Sequence, residues 1–256
     1  MKLFQSLLMI PLALGAFSVP TVAAPTQTRS SQLSTPTLIA QAFRPPRRGA
    51  PKTTAGGATR GQCDASRKSL TPLLPKDKFG LTVSDRPTLF WSLPQAVSGT
   101  AQLTILGDKE SRVVYETTIA LPKTAGIFQF TLPPDAPALE VGQQYRWYLS
   151  INCKADGTGN EISVDGWIER IALTPELTQA LKTATPREQV RLYAEAGIWH
   201  EAVTILAALR LRQPSDLRLN MSWRELLRSV DLSAVMSEPL VNTCQSMVNS
   251  RQSTRP

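Results

Sequence analysis

Apolar and polar residues alternate most cleanly between Gly142 and Ile171. Tyr145, Trp147, Leu149, Ile151 and Cys153 fall on one face of an extended chain, and Arg146, Tyr148, Ser150 and Asn152 on the other. A period of two is the mark of a half-buried antiparallel strand. Asp156 to Asn160 supplies a Gly/Asp/Asn-rich turn, and Ile162, Val164 and Ile168 continue the inner face on the return. Trp167 interrupts that alternation, which makes Gly166 a candidate bulge.

Shorter runs of the same kind precede this hairpin. Leu89, Trp91 and Leu93 share a face in Thr88–Leu93, and Ala101, Leu103 and Ile105 share one in Ala101–Leu106. Arg112–Leu121 and Ile127–Leu132 alternate likewise, with Pro94, Gly107-Asp108, Pro122 and Pro133-Pro134 as punctuation. Six or seven short strands with a buried Trp and a Cys predict an immunoglobulin/fibronectin-like antiparallel β-sandwich. Tyr145 stands eight residues before Cys153, which is not the tyrosine-corner spacing, so the expectation concerns architecture alone.

After Thr174-Pro175 the period changes to that of a helix. Thr185-Pro-Arg-Glu188 is a capping box with Pro at the first helical position, and predicts a helix to about Ala196. A second runs from Trp199 to about Gln213 and stops at Pro214. A third begins near Asp216, with Leu219, Trp223, Leu226, Leu227 and Val230 on one stripe. Tyr193, Gly197, Trp199, Ala202 and Pro214 are spaced as in a tetratricopeptide hairpin, in which Ala lets two helices approach and the aromatics fill the gap. One such unit is too little for an array, so the hairpin is expected to pack on the sandwich. Tyr193, Trp199 and Trp223 mark this helical unit as the place to seek an interaction surface. The fold class is therefore α+β. Its expected parts are a signal peptide at 1–24, a disordered basic linker at 25–62, the sandwich at 63–172, the helical unit at 173–241 and a flexible tail at 242–256.

The start of the chain sets the compartment. Lys2 precedes an apolar run from Leu3 to Val19, and Val22-Ala23-Ala24 offers small residues for cleavage after Ala24. Export to the periplasm, the cell surface or the medium is expected, with retention as an N-terminal anchor the competing reading. Without the signal segment no run is long enough to span a bilayer, so an integral membrane protein is not expected.

Charge and cysteines follow from that compartment. The net charge of +8 is local. Residues 25–80 hold ten Lys/Arg against Asp64 and Asp77, whereas residues 81–256 hold 17 basic against 18 acidic groups. An exported chain argues against nucleic acid. An envelope protein or an anionic cell-wall or lipid surface are the partners this charge suits. Three cysteines in an oxidising compartment allow one disulfide and leave one thiol. Cys63 and Cys153 flank the β-rich region, which favours that pair, and Cys153–Cys244 competes. Closing the former loop stabilises by about 3–5 kcal/mol in the chain-entropy model.

Candidate chemistry is sparse. His200, the single histidine, sits inside a helix beside Trp199 and Glu201, so packing accounts for it better than catalysis. Asp165 and Glu169 lie near each other on the return strand, where a solvated face accounts for them as well as a carboxylate pair. Asp156–Glu161 lacks the ligand order of a calcium loop, and Gly56-Gly57 has neither the preceding strand nor the GK[ST] of a phosphate loop. Asn220-Met-Ser222 matches the glycosylation pattern, which is common by chance. No catalytic residue, cofactor or metal is expected. A non-catalytic binding or adaptor module is the leading expectation, and a hydrolase acting on envelope polysaccharide or peptide is the alternative.

Longer strings are more specific. RGAPxxTxGGATRGxC at Arg48–Cys63, GLTVSDRPTLFWSLP at Gly80–Pro94, LEVGQQYRWYLSINC at Leu139–Cys153 and GWIERI at Gly166–Ile171 lead to ATPREQVRLYAEAGIWHEAVTILAALR at Ala184–Arg210 and SEPLV at Ser237–Val241. In this the chain, from about Arg48 to Val241, resembles the cyanobacterial family called domain of unknown function 928. The resemblance implies an exported protein built as a single unit, and implies no activity, substrate or catalytic residue.

Overall fold

Strict alternation over Gln144–Asn152 forces one face of that strand into the interior, and its neighbours match it residue for residue. A computed structural model describes residues 43–46, 69–93, 96–97, 99–107, 109–121, 123–153 and 161–241. The expected signal peptide, Cys63, the 154–160 turn, Cys244 and the tail lie outside the described residues.

Among the described residues eight strands and four helices follow in chain order: β1 (Thr71–Pro72), β2 (Phe79–Thr82), β3 (Thr88–Leu93), β4 (Gly99–Gly107), β5 (Arg112–Leu121), β6 (Gly126–Thr131), β7 (Gln144–Asn152), β8 (Glu161–Arg170), α1 (Pro175–Thr183), α2 (Pro186–Glu195), α3 (Trp199–Arg212) and α4 (Leu217–Arg228). The strands form a three-stranded sheet, β1-β3-β6, and a five-stranded sheet, β2-β8-β7-β4-β5. The chain is thus α+β with two largely antiparallel sheets.

Register explains the core. Ala101, Leu103 and Ile105 of β4 stand opposite Ile151, Leu149 and Trp147 of β7, which stand opposite Ile162, Val164 and Gly166 of β8. All face inward. In the small sheet Leu89 and Trp91 stand opposite Phe130 and Phe128. Tyr115 of β5 stacks on Phe130 of β6 with ring centroids 6.4 Å apart, so the two sheets meet across one continuous core. Burial of these large side chains is the main favourable term in folding.

Three expectations change. The β7–β8 register runs unbroken through Gly166, so there is no bulge there; the register shift lies between Ile105 and Leu106. Gly166 instead makes room, since a Cβ on it would sit 2.2 Å from Leu74 Cδ1 and 2.8 Å from Trp147 Nε1. Trp167 keeps the alternation by facing outward, where it clusters with Phe79 and Leu81. Second, β2 pairs with β8 in parallel, so the large sheet is mixed. Third, Phe43–Pro46, inside the expected linker, is packed: Phe43 is 4% exposed. Phe43 gives that piece an aromatic anchor, and Pro45-Pro46 give it a stiff backbone.

Of the helices, α3 lies against the strands, meeting β2 of the large sheet and β3 of the small one. Every residue of β3 is buried, with one face on the five-stranded sheet and the other toward α3. Trp199 Nε1 donates to Leu73 O at 2.8 Å, and His200 Nδ1 lies 3.1 Å from Thr88 O. Beyond α4 the chain returns to the sheet: Ile127 N–H donates to Pro239 O (2.7 Å), and Val241 N–H to Ile127 O (2.9 Å). Pro239–Val241 therefore pairs with the free edge of β6 through one parallel bridge, Ile127 to Leu240.

Candidate interaction surface

The residues singled out on the helices separate into core and surface. Trp199 is 1% exposed and Trp223 is 0% exposed. Trp199 is tied to Leu73 O, while Trp223 is covered by the Arg210 guanidinium 4.8 Å above its ring. Both shape the unit from inside, and neither ring is open to solvent while Phe43 covers Trp199. Tyr193 is half-buried, and its pKa is raised by burial and by the nearby Glu201 carboxylate. Asn220 lies within α4 and is engaged, accepting from Arg210 Nε (3.0 Å) and donating to Pro214 O (3.1 Å).

The exposed apolar surface lies one helix further toward the sheet. Thr174 caps α1, accepting from Leu177 N–H at 3.2 Å. The capped helix is short, contains no buried residue and rests on α2. Between them opens a groove of about 420 Å³. Ile171, Leu173, Leu177, Leu192 and Ile198 give it an apolar floor, and Glu176 and Glu195 bring carboxylates to it. Glu176 has its pKa lowered by hydrogen bonding at the helix N-terminus, so it is fully charged at neutral pH. Glu195 is held by Arg191 at 2.9 Å. The groove offers an apolar trough with negative charge at its edge. It came from the way α1 folds over α2, and no motif in the sequence signals that.

The carboxylates of β8 do something else. Both face outward, yet Asp165 is 3% and Glu169 4% exposed. Asp165 Oδ2 accepts from Arg146 Nε (3.2 Å) and Nη2 (2.9 Å), and its Oδ1 accepts from Lys78 Nζ (2.9 Å). Arg146 also donates to Glu110 (2.9 Å), to which the Tyr148 hydroxyl donates at 2.8 Å. Burial and that hydrogen bond push the Tyr148 pKa up to about 12. Burial is the largest influence on Arg146 and acts against its charge, but the hydrogen bond to Asp165 and the charge interactions with Tyr148, Asp165 and Glu110 together raise its pKa. Glu169 accepts from Gln144 Nε2 at 2.9 Å. Asp165 and Glu169 are four residues apart on a strand, roughly 13 Å. Glycosidase pairs lie about 5–9.5 Å apart, and each works on a substrate that reaches it. The structure does not bring these two together.

A small cavity of about 120 Å³ lies beside the β2–β3 connection, lined by Ser84, Arg86, Thr88, His200, Glu201 and Thr204 among others. His200 is buried, with Nε2 against the backbone of Gly80, and burial lowers its pKa despite the Glu201 carboxylate and the Thr88 carbonyl. Glu201 Oε1 accepts from Thr82 Oγ1 (2.6 Å) and from the backbone N–H groups of Val83 and Ser84 (both 3.0 Å). These hydrogen bonds fasten the β2–β3 loop to α3. Among the described residues no three His, Cys, Asp or Glu side chains converge as metal ligands, and no helix is long and apolar enough to cross a membrane.

A family model described as Domain of Unknown Function (DUF928) matches residues 55–240. The chain belongs to this family. The matched span of this DUF928 chain takes in both sheets and all four helices, so the α1–α2 groove and the β-sheet core are parts of one family unit. No curated protein is similar to it.

Cys153 lies just beyond β7, half-buried against the core. Its expected partner Cys63 and the competitor Cys244 both lie outside the described residues.

Proposed function

We propose that this DUF928 chain is an exported cell-envelope protein that acts by binding a partner and not by catalysis. One observation carries the proposal: the half-exposed apolar groove between α1 and α2, edged by Glu176 and Glu195. An exposed apolar trough rimmed by charge is characteristic of interaction sites. Its fitting occupant is a segment of an envelope protein that sets apolar side chains beside a Lys or Arg. The N-terminal apolar run ending in Val22-Ala23-Ala24 supports export, and the quoted family strings support a cyanobacterial source. Export in turn supports a Cys63–Cys153 bridge, which non-reducing peptide mapping should recover as one linked pair; a Cys153–Cys244 peptide would replace it.

Two finer readings of the fold accompany this. The sheets resemble an immunoglobulin-like sandwich, and the Tyr145 hydroxyl, which accepts from Glu140 N–H at 2.9 Å, supports it by bracing the start of β7 as a tyrosine corner does. The α2–α3 pair resembles a tetratricopeptide hairpin, supported by the buried Ala202 and by Gly197 at φ +73°. Hydrolysis of envelope polysaccharide or peptide is the competing function, and the separated Asp165 and Glu169, the first of them ion-paired with Arg146 and Lys78, give it no support.

The test places a photo-crosslinking residue at Leu177 and, as a control, at Val113, which is 56% exposed on β5. In the native envelope Leu177 should yield one discrete adduct that Val113 does not. A peptide from the adduct should bind the purified chain, and Leu177→Asp should weaken it without lowering the melting temperature. Equal labelling at both positions, or none at Leu177, would overturn the reading.

A further inference from the structure

Away from the α1–α2 groove, the chain packs one of its own segments against the α2–α3 turn. Phe43–Pro46 crosses the α2–α3 turn as an extended strap. The Phe43 ring meets Trp199 edge-on, with centroids 5.0 Å apart and planes at 79°. Phe43 N–H donates to Ser229 Oγ at 3.0 Å, and Arg44 N–H donates to Ala194 O at 3.1 Å. Ser229 Oγ is itself oriented by donating to Leu226 O at 2.7 Å. Gly197 admits the strap's backbone: a Cβ there would stand 2.7 Å from Arg44 O and 3.4 Å from Pro46. Arg44 and Pro45 point to solvent.

These are the features of a peptide-recognition site. One aromatic anchor fills an aromatic-walled pocket, two main-chain hydrogen bonds set the register, and two prolines hold the ligand extended before it binds. Every cleft residue (Ala194, Gly197, Trp199, Ser229) falls within the family match at 55–240, and the strap falls outside it. The cleft belongs to the family's common body, and what fills it here is an appendage.

We propose that this cleft recognises extended aromatic–basic–Pro–Pro peptides and that Phe43–Pro46 fills it in cis, so that a partner carrying the same short motif must displace the strap. The site uses different residues from the α1–α2 groove, and either proposal stands if the other fails. The strap's advantage is its tether, which gives it an effective concentration on the order of millimolar.

The test uses the mature chain with and without Phe43→Ala, and a fluorescent peptide of residues 40–49. Anisotropy should show saturable binding to Phe43→Ala and binding about tenfold or more weaker to the unaltered chain, whose own strap competes. The same peptide with Ala in place of its Phe should not bind either chain, which separates recognition from simple attraction of its arginines. Equal binding to both chains, or no binding to a Phe43→Ala protein with native near-ultraviolet circular dichroism, would overturn the proposal. If Phe43→Ala does not fold, a protease site inserted between Gly56 and Gly57 serves instead. After cleavage the N-terminal fragment should exchange for labelled peptide. A cleaved chain that takes up no peptide, whether or not it keeps its fragment, would also overturn it.

Discussion

His200 shows how one side chain couples the fold to pH. Its Nδ1 faces Thr88 O, its Nε2 faces Gly80, and burial lowers its pKa below the ordinary value of 6.5. The unfolded chain therefore binds a proton at a higher pH than the folded chain. Stability from the neutral imidazole is complete above about pH 6.5 and is lost as the pH falls from there toward the folded pKa, by at most about 1.4 kcal/mol per pH unit. Urea midpoints measured from pH 8 to pH 5 should fall most steeply below 6.5, and His200→Gln should flatten that limb; an unchanged slope in the variant would assign the loss elsewhere. The sequence placed this residue correctly in helix packing, because a lone histidine among Trp, Glu and Ala carries a helical period. Asp165 and Glu169 were different. Their outward register was legible from the period of two, but their burial was not. Whether an outer sheet face is covered depends on distant chain, here Lys78 before β2 and Glu110 after β4, and no local pattern encodes that.

Among elements, α2 was the most legible, because its end carries chemistry of its own, whereas α1 was not predicted as a separate helix. Thr185 Oγ1 accepts from Glu188 N–H at 3.3 Å, and Glu188 Oε2 accepts from Thr185 N–H at 2.7 Å, closing the box that the sequence predicted. The box fixes the entry to α2, whose inner residues Val190 and Ala194 are fully buried. Thr185→Ala should cost about 0.5–2 kcal/mol of unfolding free energy in urea titration. Thr185→Ser, which keeps the hydroxyl, should recover most of it. Long strands were equally legible: β3 and β5 begin and end where alternation does. The short β2 was not. Four residues that include Gly80 offer no usable period, and parallel pairing to β8 rests on contacts more than eighty residues away. The α1–α2 groove was invisible for a related reason. It is a space between elements, and sequence period reports which face of a helix is apolar but not how far its neighbour stands off.

At the scale of the molecule, α3 decides whether sheets and helices are one cooperative body or two. Three consecutive residues at its start each reach a different part of the β-region: Trp199 the carbonyl of Leu73, His200 that of Thr88, and Glu201 the Thr82–Ser84 turn. Removing the helices would strip these partners from buried polar groups and uncover the outward side of β3, each a large cost for a domain of ordinary marginal stability. These ties cross the boundary expected near residue 172, and they predict that the two sides unfold together. Urea unfolding of the chain should give coincident transitions by near-ultraviolet circular dichroism, which reports the core tryptophans of both sheets and α3, and by far-ultraviolet ellipticity, which reports the helices. A fragment ending at Ala172 should lack the native near-ultraviolet spectrum. Two separated transitions, or a fragment that keeps its spectrum, would show that the β-region folds alone and that α3 merely docks on it.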